Sequence, residues 1–221
     1  TATTCRRHPS TRWGSMAWLD AIHRLADRLA EHPLTFHWLR KLPEANFRAT
    51  KRRIAAICHE LGTPRVLDVG CGTGEYSTLF DPAGYVGVDV HPGYLALASR
   101  RNPRHRYLAG DARVWPGVGT PFDLVMVNGV LHHHDDESAR TFLRAVLGHL
   151  APSGRMLVIE DVHLPDASLP TRLIHKLDYG EHIRDAAHWQ KLVSDVATIE
   201  RSETYTSGIC PYHLMLCRKP A

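Results

Sequence analysis

Short apolar runs alternate with amphipathic segments along most of the chain. The runs are rich in aliphatic and β-branched residues, which is typical of strands buried on both faces. Between them, apolar residues recur at three- and four-residue spacing, which is typical of helices with one buried face. The pattern predicts strands over residues 65–69, 85–88, 105–109, 124–127 and 155–159, and helices over 44–61, 75–80, 93–101 and 137–150. Such an alternation predicts an α/β domain with parallel strands and right-handed crossovers.

The two ends of the chain depart from this alternation. Residues 16–62 form a predicted helical cap, which begins with an amphipathic helix over 16–30 and serves either to cover the core or as a lid over a pocket. Residues 1–15 lack periodicity and are expected to be a non-native leader before Met16 or a mobile native tail. Later segments are a loop over 162–170, helices over 171–178 and 185–193, and strands over 197–206 and 212–217 that form a terminal hairpin.

Composition limits the class of protein. The 221 residues suffice for one α/β domain with a full core and are too few for two ordinary domains with linkers. No segment is apolar for long enough to cross a membrane. The five cysteines are odd in number and contain no C-x-x-C pair, which favours a reducing cytoplasm over a disulfide framework or a zinc site. The net charge of +4 is spread over short clusters, which favours a solvated surface over a nucleic-acid-binding face.

A glycine loop follows the first predicted strand, in the sequence VLDVGCGTG at residues 66–74. Glycines at alternating positions let the backbone approach a ligand closely, because no Cβ stands between them. A dinucleotide fingerprint requires Gly or Ala one place after Gly74, where Glu75 would add a negative charge beside a phosphate. A P-loop is excluded because no Gly-Lys-Ser/Thr closes the loop. The pattern favours a cationic nucleoside ligand without phosphate.

An acidic residue closes the second predicted strand. Asp89 lies about twenty residues beyond Asp68, where a carboxylate can accept hydrogen bonds from both hydroxyls of a ribose. The alternative role is a cap for the helix that begins near Pro92, and it fits less well because Val90 and His91 intervene.

Two motifs together resemble the class I S-adenosylmethionine (SAM)-dependent methyltransferases. One is the glycine loop, and the other is the segment Leu131-His132-His133 with Asp136 after the fourth strand, which resembles small-molecule methyltransferases. The resemblance covers about residues 44–218. It implies a Rossmann-like, seven-stranded and mostly parallel sheet that ends in an antiparallel hairpin. It also implies that residues 63–221 bind SAM, and that an insert at about 162–193 joins the N-terminal aromatic segment in an acceptor pocket.

The resemblance also assigns residues to the cofactor, with S-adenosylhomocysteine (SAH) as the product. Asp111 would hydrogen-bond the exocyclic amine of adenine, although it could instead cap the turn that follows. Asn128 would face the methionine half, mainly through its backbone. The full set of expected cofactor-binding residues is Asp68, Gly70, Gly72, Gly74, Asp89, Val90, Asp111, Ala112 and Asn128.

The expected acceptor site contains histidines. In sugar and natural-product O-methyltransferases, a His-His pair and an acid after the fifth strand line this site, and the matching positions are His132, His133 and Asp161. Histidine can take a proton at neutral pH, so His133 is the expected base. Asp161 is expected to orient His133 or to bind the substrate, and His163 is a second candidate for the base. Alternatively, the histidines only shape the pocket and cap the next helix.

Sixteen histidines raise the question of a metal. Adjacent histidines supply only one or two ligands, so no catalytic metal is expected. On the insert, His175, His182 and His188 could face either the acceptor or solvent.

The leading hypothesis is therefore methylation of a small molecule by a cytoplasmic monomer or homodimer. The acceptor atom is expected to be oxygen, in secondary, sugar or lipid metabolism. The alternatives are methylation of a tRNA wobble nucleoside, and a protein that binds SAM without transferring its methyl group.

Overall fold

The computed structural model describes residues 43–119, 121–166, 171 and 182–220. The predicted tail over 1–15, the helix over 16–30, almost all of the helix over 171–178, and His175 therefore lie outside the described residues. In the ranges that are described, no helix is both long and apolar enough to cross a membrane.

Seven strands form one sheet in the order β3-β2-β1-β4-β5-β7-β6. Strands β1 to β5 pair in parallel, whereas β7 lies antiparallel between β5 and β6. This confirms the predicted mixed sheet with a terminal hairpin. The strands are β1 (Val66–Val69), β2 (Tyr85–Asp89), β3 (Arg106–Ala109), β4 (Phe122–Asn128), β5 (Leu150–Asp161), β6 (Thr198–Ser207) and β7 (Cys210–Arg218).

Four α-helices of the described chain pack on the sheet. Asp135 and Asp185 cap two of them, because their side chains accept hydrogen bonds from the backbone N–H groups of Ser138 and His188. The cap near residue 135 is therefore an aspartate rather than one of the histidines. The helices are α1 (Arg48–Leu61), α2 (Pro92–Arg101), α3 (Asp136–Leu147) and α4 (Ala186–Ser194).

Three predicted elements are wrong in detail. The helix expected over 75–80 is only a 3₁₀ turn at Ser77–Leu79, because too few residues separate Gly74 from the turn that begins at Asp81. The helix expected from residue 44 begins at Arg48, after a 3₁₀ turn at Ala45–Phe47. The turn expected at 152–154 lies inside β5, where the pairing with β4 is irregular.

The core lies on both faces of the sheet. Leu67 and Val125 contribute to the cluster packed with α3 and α4, whereas their neighbours Val66 and Leu124 contribute to the cluster packed with α1. This separation follows from the two-residue period of a strand. It explains why the central strands are rich in apolar residues at consecutive positions.

The strand order reverses beside β1, which has β2 on one side and β4 on the other. Ligands of open parallel sheets bind beyond the carboxyl ends of the strands at such a point. The glycine loop and the end of β4 both lie there. The four cysteines of the described chain are buried and unbridged.

Candidate active site

A cavity of about 790 Å³ opens at the carboxyl ends of β1, β2 and β4, a volume typical of small-molecule sites. The described chain lines it with the glycine loop, the segments after β2 and β3, and the residues after β4. The expected cofactor residues that line it are Asp68, Gly70, Gly72, Asp89, Val90, Asp111, Ala112 and Asn128. Gly74 is absent from this lining.

The glycine loop needs its glycines for two different reasons. Gly70, Gly72 and Gly74 have φ angles of +72°, +52° and +70°, a region that L side chains rarely adopt. At Gly74, an added Cβ would also lie 2.7 Å from the Tyr107 hydroxyl oxygen. Close packing also excludes a Cβ at Gly70, which would lie 2.4 Å from Val130 Cγ2, whereas one at Gly72 would meet no atom within 4 Å. Gly70 and Gly72 line the cavity.

Asp89 joins the second strand to the glycine loop. One carboxylate oxygen accepts a hydrogen bond from Gly72 N–H at 2.8 Å, and the other accepts from His91 N–H at 2.8 Å. Each oxygen retains a further acceptor position that could receive a ribose hydroxyl. The cap of α2 is His91, whose Nδ1 accepts from Tyr94 N–H at 3.3 Å. Asp89 is thus not the helix cap.

Asp68 lies deeper, at the base of the cavity. Its carboxylate is 2 % exposed and accepts a hydrogen bond from the Tyr85 hydroxyl at 2.8 Å. Burial raises the pKa of Asp68 to about 7, although the hydrogen bond from Tyr85 acts in the opposite direction. Asp68 can therefore be neutral or ionised near neutral pH.

Glu75 forms ion pairs with Lys51 and Arg101. Burial acts to raise the pKa of Glu75, but the hydrogen bonds from the two cations outweigh it and lower that pKa. Its charge is therefore compensated, which weakens the electrostatic argument against a phosphate. The fold supplies another reason, because a 3₁₀ turn rather than an α-helix follows the loop, and a pyrophosphate site needs the helix N-terminus.

Asp111 already has a partner on its own turn. Its carboxylate accepts hydrogen bonds from the Arg113 backbone N–H at 2.9 Å and from Arg113 Nε at 3.0 Å. These hydrogen bonds, foremost those from the side chain, lower the pKa of Asp111. Asp111 thus closes the turn and also lines the cavity.

Residues 130–134 form the histidine loop, which includes a 3₁₀ turn at Leu131–His133. His132 is buried, and its Nδ1 lies 2.8 Å from a Glu160 carboxylate oxygen. His133 is exposed, and its ring centroid lies 4.2 Å from that of His132. Burial, together with the charge of Arg113, lowers the pKa of His134. All three histidines line the cavity.

Glu160 organises the histidine loop, and the sequence reasoning missed it. The side chain is fully buried and accepts hydrogen bonds from the N–H groups of Val130 at 2.9 Å and Leu131 at 2.7 Å. It also accepts from His132 N–H at 3.3 Å. The only sequence signal was an acidic pair at the end of a strand, and the pair alone does not show which member contacts the loop.

Asp161 occupies a different environment from the expected one. It is buried, lies outside the cavity lining, and has a carboxylate oxygen 3.8 Å from His132 Nδ1. Its main-chain oxygen accepts a hydrogen bond from Trp189 Nε1 at 2.9 Å. The structure thus brings Asp161 beside His132.

His163, the second candidate for the base, and two histidines of the insert lie outside the cofactor cavity. His163, His182 and His188 line a separate cleft of about 440 Å³ together with Asp136 and Arg184. His188 Nε2 lies 2.8 Å from an Asp136 carboxylate oxygen. In the part of the chain that is described, no group of three or more His, Cys, Asp or Glu side chains is arranged to hold a metal.

The sheet order, the glycine loop and Asp89 at the end of β2 are those of a Rossmann-like domain with a candidate nucleoside site. Residues 66–154 match the family described as "Methyltransferase domain". This match, which spans less than half of the chain, agrees with the resemblance to class I SAM-dependent methyltransferases that the motifs predicted.

Curated relatives agree with this family over part of their length. The chain is 34% identical over 102 residues to demethylmenaquinone methyltransferase of Renibacterium salmoninarum, covering 45% of this chain and 42% of the relative. It is 30% identical over 93 residues to tRNA (carboxymethyluridine(34)-5-O)-methyltransferase of Saccharomyces cerevisiae, covering 42% of this chain and 33% of the relative. The chain thus spans about half or less of the length of the curated relatives it matches.

A solved structure shares the fold. Magnesium protoporphyrin IX methyltransferase from Synechocystis PCC 6803, with bound SAH, superposes with a TM-score of 0.65 at 18% identity. The match covers 82% of this chain and 87% of that protein. The likeness confirms the predicted fold class.

Proposed function

We propose that the protein transfers a methyl group from SAM to a small-molecule acceptor and releases SAH. One observation carries the proposal: the glycine loop, Asp89 and the exposed His133 belong to a single cavity. The matched family and the small-molecule methyltransferases among the relatives support it.

The residues at the cavity fit a cationic nucleoside. Asp89 would accept hydrogen bonds from ribose hydroxyls, and the backbone at Gly70 and Gly72 would allow a close approach. Asp68 offers a carboxylate at the base of the cavity that suits a cationic group. When bound, SAM supplies an electrophilic methyl group on a neutral leaving group, so the protein's main task is to hold the acceptor in line with it.

We assign the acceptor atom to oxygen because a base is useful where a proton must leave. His133 is exposed and lines the cavity, which supports its role as the base that takes that proton. His132 is held by Glu160 and packs against His133, so it orients its neighbour. The environment of Asp161 favours a supporting role over contact with substrate.

The first test is calorimetric titration with SAM and SAH, using the wild type, Asp89→Ala and the exposed control Asp166→Ala. Loss of a ribose contact should weaken both ligands by about tenfold or more in Asp89→Ala alone, since a hydrogen bond to a charged group contributes roughly 1.5–3 kcal/mol. Absence of binding to the wild type would refute the cofactor assignment.

Binding justifies a screen of hydroxylated acceptors with SAM carrying a labelled methyl group. His133→Ala should lower the rate constant of transfer to oxygen by about 10²–10⁴-fold while leaving SAH affinity nearly unchanged. An equal rate in His133→Ala would instead support catalysis by positioning alone. Retention of SAM without turnover across the panel would favour a protein that binds SAM without methyl transfer.

A tRNA acceptor is the second candidate. The relative from Saccharomyces cerevisiae is the observation that favours it. Binding of unmodified tRNA that weakens steeply with salt, followed by methylation of that tRNA, would replace the small-molecule proposal.

A further inference from the structure

The histidine loop is held from two opposite sides. On one side, Glu160 accepts hydrogen bonds from the loop's N–H groups. On the other side, the Arg184 guanidinium donates to the loop's carbonyl oxygens. We propose that Arg184 is a positioning residue that fixes the histidine loop, and with it His133, over the cofactor cavity. The proposal rests on the function proposed above.

The contacts of Arg184 leave it little freedom. The residue is 6 % exposed, and its Nη2 donates to the His134 carbonyl oxygen at 2.8 Å. Its Nη1 donates to the His182 carbonyl oxygen at 2.8 Å and, at a longer 3.5 Å, to the Leu131 carbonyl oxygen. The guanidinium carbon lies 4.6 Å from the centroid of the Trp189 ring. These contacts occupy the guanidinium with the protein itself, so it acts as a structural clamp rather than a ligand-binding group.

Arg184 also joins the loop to the start of α3. Its Nε donates to Asp136 Oδ1 at 2.8 Å. Asp136 is the first residue of the helix that follows the histidine loop. The loop is therefore fixed between Glu160 near the end of β5 and an Arg184–Asp136 pair at the start of α3.

The position of Arg184 in the chain gives the clamp a functional meaning. Val162 and Arg184 pair in an isolated parallel bridge, and His163 N–H donates to the Arg184 carbonyl at 3.0 Å. The chain segment between them belongs to the insert, over about residues 162–193, that the resemblance assigns to the acceptor pocket. His182 N–H donates to the His132 carbonyl at 3.0 Å. The base of the insert is thus bonded directly to the loop that carries the proposed base.

Only arginine suits this role. Its planar guanidinium presents several donors in fixed directions, so one side chain can bond carbonyls of the loop and a carboxylate at the same time. A lysine ammonium keeps the charge and could reach Asp136 or a single carbonyl. Arg184→Lys therefore separates the charge of the residue from its geometry.

The test compares Arg184→Lys and Arg184→Met with the control Arg140→Lys. Arg140 lies 3.9 Å from the same Asp136 and 2.8 Å from Asp195, but it has no recorded bond to the loop. Amide hydrogen exchange is measured at His133 and His134, whose N–H groups donate to the carbonyls of Val130 and Leu131. Ring signals of His132 and His133 are followed by NMR in the full chain with SAH.

In both Arg184 variants, the amide hydrogens of His133 and His134 should exchange about tenfold or more faster than in the wild type. The NMR signal of the His133 ring should shift or broaden. Arg140→Lys should match the wild type. With an acceptor found in the screen, Arg184→Lys should lower kcat while the KM for SAM stays within a factor of about three. Arg184→Lys tests the proposal even if Arg184→Met fails to fold.

Wild-type exchange and ring signals in a folded Arg184→Lys protein would overturn the proposal. The same change in Arg140→Lys would also overturn it, because the effect would then come from Asp136 alone. Failure of the wild type to methylate any acceptor would count against the proposed function, whereas the exchange data would still decide whether Arg184 holds the loop.

Discussion

Asp68 combines burial, a hydrogen bond and a position on the cavity wall. Burial raises its pKa from the model-peptide value of 3.8 to about 7 in the folded protein. Between these two pKa values the folded state binds more protons than the unfolded state. The stability that this residue contributes is therefore complete at low pH and is lost as pH rises from about 4 to about 7.

Asp68→Asn should remove this pH dependence while keeping an oxygen that can accept from the Tyr85 hydroxyl. The free energy of unfolding of the variant minus that of the wild type should rise by roughly 2–3 kcal/mol from pH 5 to pH 8. Urea denaturation of both proteins at the two pH values measures the difference. Asp166→Asn, on an exposed turn, is the control and should show no such gain. If Asp68→Asn and the wild type differed in free energy of unfolding by the same amount at pH 5 and pH 8, the result would contradict the raised pKa of Asp68.

Glu160 shows what residue patterns alone leave open. The sequence places Glu160 and Asp161 together at the end of a strand, and both are carboxylates that could meet a histidine. In the structure, Glu160 bonds the loop while Asp161 bonds Trp189 through its main chain. That difference depends on how β5 lies between β4 and β7, which is a tertiary feature without a local sequence signal.

At the scale of elements, α4 is fixed to the end of β5 by one buried hydrogen bond. Trp189 is fully buried, and its Nε1 donates to the Asp161 carbonyl at 2.9 Å. The same ring contacts the Arg184 guanidinium. Trp189 therefore contacts both the end of β5 and the Arg184 side chain that holds the histidine loop.

Trp189→Phe should keep most of the apolar packing and leave the Asp161 carbonyl without this partner. A hydrogen bond contributes roughly 0.5–1.5 kcal/mol to stability, so the free energy of unfolding should fall by about that amount. Urea denaturation measures it, with Lys191→Ala on the exposed side of α4 as the control. Unchanged stability in Trp189→Phe would show that the hydrogen bond contributes little.

The elements that the sequence predicted well are those that carry a repeating pattern. The strands β1 and β4 are rich in apolar residues because both faces are covered, and α3 has an apolar stripe that ends in Leu147. The failures lie where local signals compete. Residues 75–80 have a weak helical pattern between a glycine loop and a proline turn, and residues 152–154 look like a turn but are held in β5 by pairing with β4.

At the scale of the whole molecule, it was predictable that the expected cofactor residues lie together, because parallel strands bring their carboxyl ends to one edge. Asp89 and Asn128 are far apart in sequence and meet at one cavity for this reason alone. Arg184 was not predictable in the same way. Its partners come from the histidine loop, α3 and the base of the insert, and no spacing in the sequence links them.

A ligand that binds only the folded state should stabilise the whole domain. The amides that it protects directly from hydrogen exchange should lie along one edge of the sheet. The cavity is lined by the segments after β1, β2, β3 and β4, whereas the β6–β7 turn does not line it. At about 100 times its Kd, SAH should add roughly 2.7 kcal/mol to the free energy of unfolding. Thermal denaturation with and without SAH measures the overall gain, and hydrogen exchange locates the protection.

Protection should concentrate in the glycine loop and the residues after β2 and β4, while amides near Gly208 should change only with the global stability. Asp89→Ala should lose about half of the gain or more at the same SAH concentration, because its affinity should be about tenfold lower or weaker still, whereas the exposed control Asp166→Ala should retain it. Local protection centred on the β6–β7 turn, or an equal gain in Asp89→Ala, would place the ligand elsewhere. Because the strand order forces the cavity to this edge, such a result would contradict the assigned site itself rather than a single residue.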